Sequence, residues 1–218
     1  MFIELVDALR CPRPHEESWL VLAASRIEAR HIQQGTLGCP VCRAEYPIDD
    51  GIVDLRLDRS EPAPGSASDT RSDPRISDRV PADHVAAMLD LGDALGFALL
   101  IGDWGRHAGA LLELDHMPPL LLVDPPAGVV MRPGLSGLRA DARLPLAVGA
   151  ARAAAVDDAD AGRLTSATQA TRTGGRLVAP AHAAVPDGVR ELVRDEHVWV
   201  GEREAPPSAL VRLHVRRG

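Results

Sequence analysis

Residues 97–124 read FALLIGDWGRHAGALLELDHMPPLLLVD. FALLIG is an unbroken apolar run of strand length that meets Gly102, RHAGALLELD reads as a helix, and PLLLVD is a second apolar run that stops on Asp124. Strands that are apolar throughout, separated by a helix, imply a parallel sheet covered on both faces. The pattern continues in both directions. Upstream, ADHVAAMLDLGDALG places Val85, Met88, Leu89, Leu91 and Leu95 along one side of a helix with Asp83 as its N-cap. Downstream, GLRADA is short and extended, ARAAAVDD ends a further apolar strand at Asp157 and Asp158, ADAGRLTSATQATR is helical, and GGRLVAPA follows a Gly-Gly turn as a strand. DGVRELVRD then reads as a short helix, and EHVWVGERE and SALVRLHVRR as two closing strands. Residues 81–218 therefore form an α/β unit.

Ahead of it, residues 58–80 are rich in Ser, Pro, Asp and Arg and nearly free of large apolar side chains. Such a stretch buries too little surface to offset its ordering entropy and reads as a flexible linker. Residues 1–57 form a separate small module. FIELVDALRCP sets Ile3, Leu5, Val6 and Leu9 on one face of a short helix that Cys11-Pro12 stops. SWLVLAAS and RHIQQGTLGC are strands, and EYPIDDGIVDLR is a hairpin about Asp50-Gly51.

The chemistry of this module lies in its cysteines. Cys39 and Cys42 have C-x2-C spacing, half of a tetrahedral zinc site. The same spacing from Cys11 falls on Pro14, and the next residue is His15. A Cys3His set of Cys11, His15, Cys39 and Cys42 satisfies zinc, with His31 as the other candidate fourth ligand.

Composition narrows the function classes. The 218 residues carry a net charge of −7 and contain neither lysine nor asparagine. That charge argues against a broad nucleic-acid-binding face, although a local patch stays open. The basic VRLHVRRG at the end reads as a solvated strand. With 3% aromatic residues, the core must be built from Ala, Val and Leu. No apolar run approaches the roughly 20 residues of a membrane span. The acidic, amphipathic start does not read as a signal peptide, and three cysteines do not make a disulfide scaffold, so the cytoplasm is expected. No G-x-S-x-G elbow, P-loop or H-E-x-x-H motif is present. His84, His107, His116, His182, His197 and His214 are scattered singly as surface or packing residues. VDPPA has Ala127 where the D-P-P-Y motif of amino-methylating enzymes needs an aromatic.

The helix ending in LRCP followed by CPVCRAEYPIDDGIVDL resembles the small zinc-ribbon family that includes the activator subunit shared by tRNA, rRNA and release-factor methyltransferases. The resemblance covers residues 1–57, about a quarter of the chain, and departs at Pro14, where the family has a cysteine. It implies zinc and a methyltransferase, or a larger assembly, as protein partner. The order of motifs in residues 81–218 resembles a class I S-adenosylmethionine-dependent methyltransferase, a Rossmann-like, mostly parallel sheet with a closing antiparallel strand pair. The resemblance assigns Gly102 to the cofactor loop, Asp124 to the ribose hydroxyls and Asp141 to the adenine amine, and it matches RTGGRLV to the turn before the fifth strand. Leu100 stands where the loop acid belongs, and Trp104 and Arg106 stand where glycines are expected, with Gly105 out of register. Glycine is needed there for positive φ and close backbone approach, so a tryptophan and an arginine put bulk where the methionine moiety would lie. Together these features imply a non-catalytic binding or scaffold protein. The alternatives are an active methyltransferase on RNA, protein or a small molecule, and an activator of a separate methyltransferase in trans.

Overall fold

The computed structural model describes residues 1–59, 76–93, 95–158 and 160–206. A 3-10 turn at Ile3–Ala8 leads into β1 (Val21–Glu28), β2 (His31–Gly38), β3 (Glu45–Asp49) and β4 (Ile52–Asp54). Helices α1 (Ile76–Arg79) and α2 (Ala82–Met88) precede β5 (Ala98–Ile101), a second 3-10 turn at Gly102–His107, α3 (Ala108–Leu111), β6 (Leu120–Val123), β7 (Leu135–Arg139) and β8 (Ala151–Ala155). Then come α4 (Ala161–Ala170), β9 (Thr171–Pro180), β10 (Val189–Arg194) and β11 (Val198–Arg203).

The eleven described strands form one sheet in the order β1-β2-β3-β4-β7-β6-β5-β8-β9-β11-β10. From β4 to β9 all neighbours are parallel. Both ends are antiparallel: β3, β2 and β1 on one side, β11 and β10 on the other. Alternation along the strands sends side chains to two cores. Leu99, Ile101, Leu121 and Val123 meet α4 through Leu164 and Ala167, whereas Ala98, Leu100, Leu120 and Leu122 meet α2 and α3 through Val85, Leu89 and Leu111. The chain runs β5 to β6 to β7 in one direction and returns through β8 and β9 on the other side of β5, so the order reverses between β5 and β8.

The sheet runs without a break across the expected boundaries at 57 and 81. β4 pairs in parallel with β7, matching Ile52, Val53 and Asp54 to Gly137, Leu138 and Arg139. Gly137 is needed here, because a Cβ on it would lie 2.6 Å from Ile52 Cγ1. Phe2 N donates to the buried Ser136 hydroxyl at 2.9 Å. Leu5, Leu9, Tyr46 and Val53 share one apolar cluster with Leu121, Leu138 and Trp199. Of the expected linker 58–80, residues 60–75 lie outside the described residues, as does the expected last strand, 208–217 with His214.

Several local expectations are corrected. DGVRELVRD is not a helix: it holds β10, at the edge of the sheet beside β11. Residues 3–8 are a 3-10 turn and not an α-helix. Helix α2 stops at Met88, its N-cap is Pro81 without a side-chain bond, and Leu95 is exposed. The Gly-Gly turn lies inside β9, at a shift in its register with β8. The core is not only aliphatic: Trp104, Trp199 and Tyr46 are its largest fully buried side chains.

Candidate functional site

The first candidate is the cysteine–histidine cluster at the N-terminal end of the chain. Cys39 opens a tight turn in which Arg43 N donates to Cys39 O and Cys39 N to Ala44 O, both at 2.9 Å, with Arg43 at a φ of 57°. This turn directs Cys39 and Cys42 to one point. Cys11 arrives from the other side, where Cys11 N donates to Ser18 O at 3.0 Å and Arg10 bridges Trp19. The loop between them carries Pro14 outward and brings His15 in. The ligand atoms of Cys11, His15, Cys39 and Cys42 all lie within 4.8 Å of one another. Cys11 and Cys42 Sγ are 3.7 Å apart, and Cys39 Sγ is 3.5 Å from His15 Nε2. Zinc bonds of about 2.3 Å to sulfur and about 2.0 Å to nitrogen give tetrahedral edges of about 3.8 Å and about 3.5 Å. The donor set therefore fits zinc in both chemistry and spacing. His15 Nδ1 lies 2.6 Å from Glu16 O, a contact that holds the ring with Nε2 toward the cluster. His31 takes no part: its Nε2 accepts from Gly134 N at 2.9 Å.

The electrostatics of the cluster favour thiolate at Cys39. Burial works against ionisation, but the backbone N–H groups of Cys42 and Val41 outweigh it and, with Cys11 and Cys42, bring the Cys39 thiol down to about 6. Cys11 is pushed up by burial, partly offset by the Tyr46 hydroxyl 3.5 Å away.

The second candidate is the crevice outside the carboxyl ends of the strands at the β5/β8 reversal, where open α/β sheets bind ligands. Gly102 follows β5 with a φ of 61°, and a Cβ on it would fall inside the Asp157 carboxyl group. Asp157, which follows β8, accepts a hydrogen bond from Asp103 N at 2.8 Å. Burial, joined by the charges of Asp158 and Asp103, pushes its carboxyl up to about 6. Asp124 ends β6, is buried, and pairs with Arg163 of α4 at 2.9 Å while accepting from Ala140 N at 3.2 Å. Burial still holds its carboxyl above the ordinary value. Asp141 is exposed and accepts from Leu57 N at 2.9 Å. The structure thus brings Gly102, Asp124 and Asp141 to one end of the sheet but engages each of them within the chain.

The expected obstruction of the crevice by Trp104 is corrected. Its ring is fully buried in the core beneath α2 and α3, and its Nε1 has no hydrogen-bond partner among the described residues. Leu100 is likewise core, and Arg106 pairs with Asp103 at 3.3 Å. Asp160 caps α4 by accepting from Arg163 N at 2.7 Å. Sequence reasoning missed Arg163, which lies 39 residues from its partner. It also missed Asp157 as the group packed on Gly102. No local pattern announces either contact, because the crossovers create them.

Among the described residues no helix is long and apolar enough to cross a membrane. No family model and no curated protein matches the chain. Among solved structures it is similar to a chain of the complex between the Haloferax volcanii Trm112 methyltransferase activator and a methyltransferase, with 11% identity, a TM-score of 0.46, and coverage of 59% of this chain and 90% of that one. It is also similar to an S-adenosyl-L-methionine-dependent methyltransferase from Methanococcus maripaludis, with 8% identity, a TM-score of 0.44 and coverage of 59% and 85%. A third, an S-adenosylmethionine-dependent methyltransferase from Mesorhizobium loti, has 21% identity, a TM-score of 0.35 and coverage of 57% and 66%.

Proposed function

We propose that this chain is a non-catalytic binding or scaffold protein, in which a zinc-holding module of the ribbon type is built onto a degenerate class I methyltransferase-like domain. The observation that carries the reading is the Asp124–Arg163 pair at 2.9 Å. The acid that would hold a ribose is neutralised from within the chain, and the Asp157 carboxyl lies against Gly102. S-adenosylmethionine therefore does not fit the crevice as it stands. Zinc fits its cluster: Cys11, Cys39 and Cys42 would bind it as thiolates and His15 through Nε2. With four protein ligands and no open position, zinc there stabilises the fold and does not activate water.

An active methyltransferase would require Arg163 to leave Asp124. An activator in trans that adds β4 to a partner's sheet has no free edge there, since β3 and β7 take both. The function then rests on a protein partner or larger assembly, and the free thiols suit the reducing cytoplasm. Calorimetric titration of the purified protein with S-adenosylmethionine and S-adenosylhomocysteine, with metal content measured on the same sample, tests this. The expected result is one zinc per chain and no detectable binding. Micromolar binding, about −8 kcal/mol, overturns the reading.

A further inference from the structure

The segment that leaves β4 runs past the carboxyl end of β7, at the end of the sheet where Asp124 and Asp141 lie. Leu55 N donates to Arg139 O at 2.9 Å, continuing the ladder past the end of β7, and Leu57 N reaches the Asp141 carboxylate at 2.9 Å. Between them the Arg56 side chain is buried, 8% exposed, and chelates Asp54 through Nε at 3.0 Å and Nη2 at 2.7 Å. Its charge is favoured first by Asp54 and then by Asp124 and Asp141, so it lies within their field. Arg163 approaches from the first turn of α4, spanning to Asp124 at 2.9 Å and to Ala140 O at 3.4 Å. The Arg163 guanidinium thus meets the buried Asp124, which itself holds a φ of 51°, while Arg56 is held on Asp54 beside it. Non-glycine residues persist in that conformation where their surroundings over-determine it.

We propose that residues 55–57, with Arg163 as a crossbar, are a built-in strap that closes the crevice in cis. The Leu57 amide and the Arg163 guanidinium take the Asp141 and Asp124 carboxylates, the acceptors that a ligand bearing a vicinal diol, such as a nucleoside, would otherwise engage. The inference rests on the reading above that the crevice is closed, and names what closes it. The outer end of the strap is its weak point: Asp141 and Leu57 are both exposed, and one hydrogen bond joins them. The inner end continues β4 and is fixed by the sheet.

The test uses the full-length, metal-loaded protein and two variants. Asp141→Ala removes the outer bond from an exposed site, and amide hydrogen exchange at Leu57 should quicken at least tenfold while Leu55 and the β5–β8 ladder are unchanged. Arg163→Met removes the crossbar, and adenosine titrated by calorimetry should bind at least tenfold more tightly than to the wild type. Unchanged exchange at Leu57 in Asp141→Ala overturns the strap, whether or not Arg163→Met folds. A folded Arg163→Met with no gain in adenosine binding also overturns it, and leaves the non-catalytic reading standing. Tight binding of S-adenosylhomocysteine by the wild type overturns both.

Discussion

Replacing Asp157 by asparagine should stabilise the protein at neutral pH. Burial is the main cause that raises its carboxyl from the ordinary 3.8 to about 6, and the neighbouring charges of Asp158 and Asp103 add to it. Between those values the folded chain holds a proton that the unfolded chain has released. Stability therefore falls as pH rises from about 4 to about 6, and the full cost is present above that window. A rise of about two pH units at 1.36 kcal/mol each amounts to about 3 kcal/mol. Asparagine keeps an oxygen to accept the Asp103 N–H at 2.8 Å but carries no charge. Asp157→Asn should thus raise the unfolding free energy by about 2–3 kcal/mol at pH 7.5 and leave it unchanged near pH 3.5. Urea unfolding followed by circular dichroism from pH 3.5 to 8, on both proteins side by side, measures the difference. An offset independent of pH, or a loss of stability at pH 7.5, would refute the argument that Asp157 is a carboxylate strained by burial.

The remaining predictions concern the junction, the metal cluster and the core. Gly137→Ala drives a Cβ toward Ile52 Cγ1, 2.6 Å away, and should cost about 1–3 kcal/mol, of which Ile52→Ala in the same chain recovers a part; strictly additive effects would mean the β4–β7 contact is not packed. Cys39→Ser or metal chelation should lower one transition for the whole described fold, because Leu5, Leu9, Tyr46 and Val53 lie in the same cluster as Leu121 and Trp199. Two separated transitions by differential scanning calorimetry would count against that shared core. Trp104→Gly should destabilise by about 3–5 kcal/mol through a cavity beneath α2 and α3 without improving adenosine binding; a stable variant that gains binding would place the ring in the crevice after all.

Much of the site and fold could be read from local pattern, for physical reasons. Two cysteines spaced C-x2-C meet readily in a tight turn, and Cys39–Cys42 does so. Asp50-Gly51 supplies the two positive φ values of a two-residue hairpin, 46° and 73°, between β3 and β4. The runs ALLI and LLLV are apolar at every position, too short for a helix and flanked by glycine or proline, which marks strands buried on both faces, as β5 and β6 are. The segment VRELVR misled because Val189, Leu192 and Val193 recur at helical spacing; pairing with β11 overrides that preference.

The sequence by itself determined most element types in the central block, the chemistry of the side chains in the cysteine–histidine cluster and the acids that gather at one end of the sheet. These follow from hydrophobic period, turn residues and side-chain type, all of which are local. Only the tertiary structure decided that residues 1–57 share a sheet and core with residues 81–206, that His15 and not His31 joins the cluster, and that Asp124 is met by Arg163 and Gly102 by Asp157. Each of those depends on which strands lie side by side. Strand order is set by the burial of two faces at once, a sum over the whole chain that no single stretch contains.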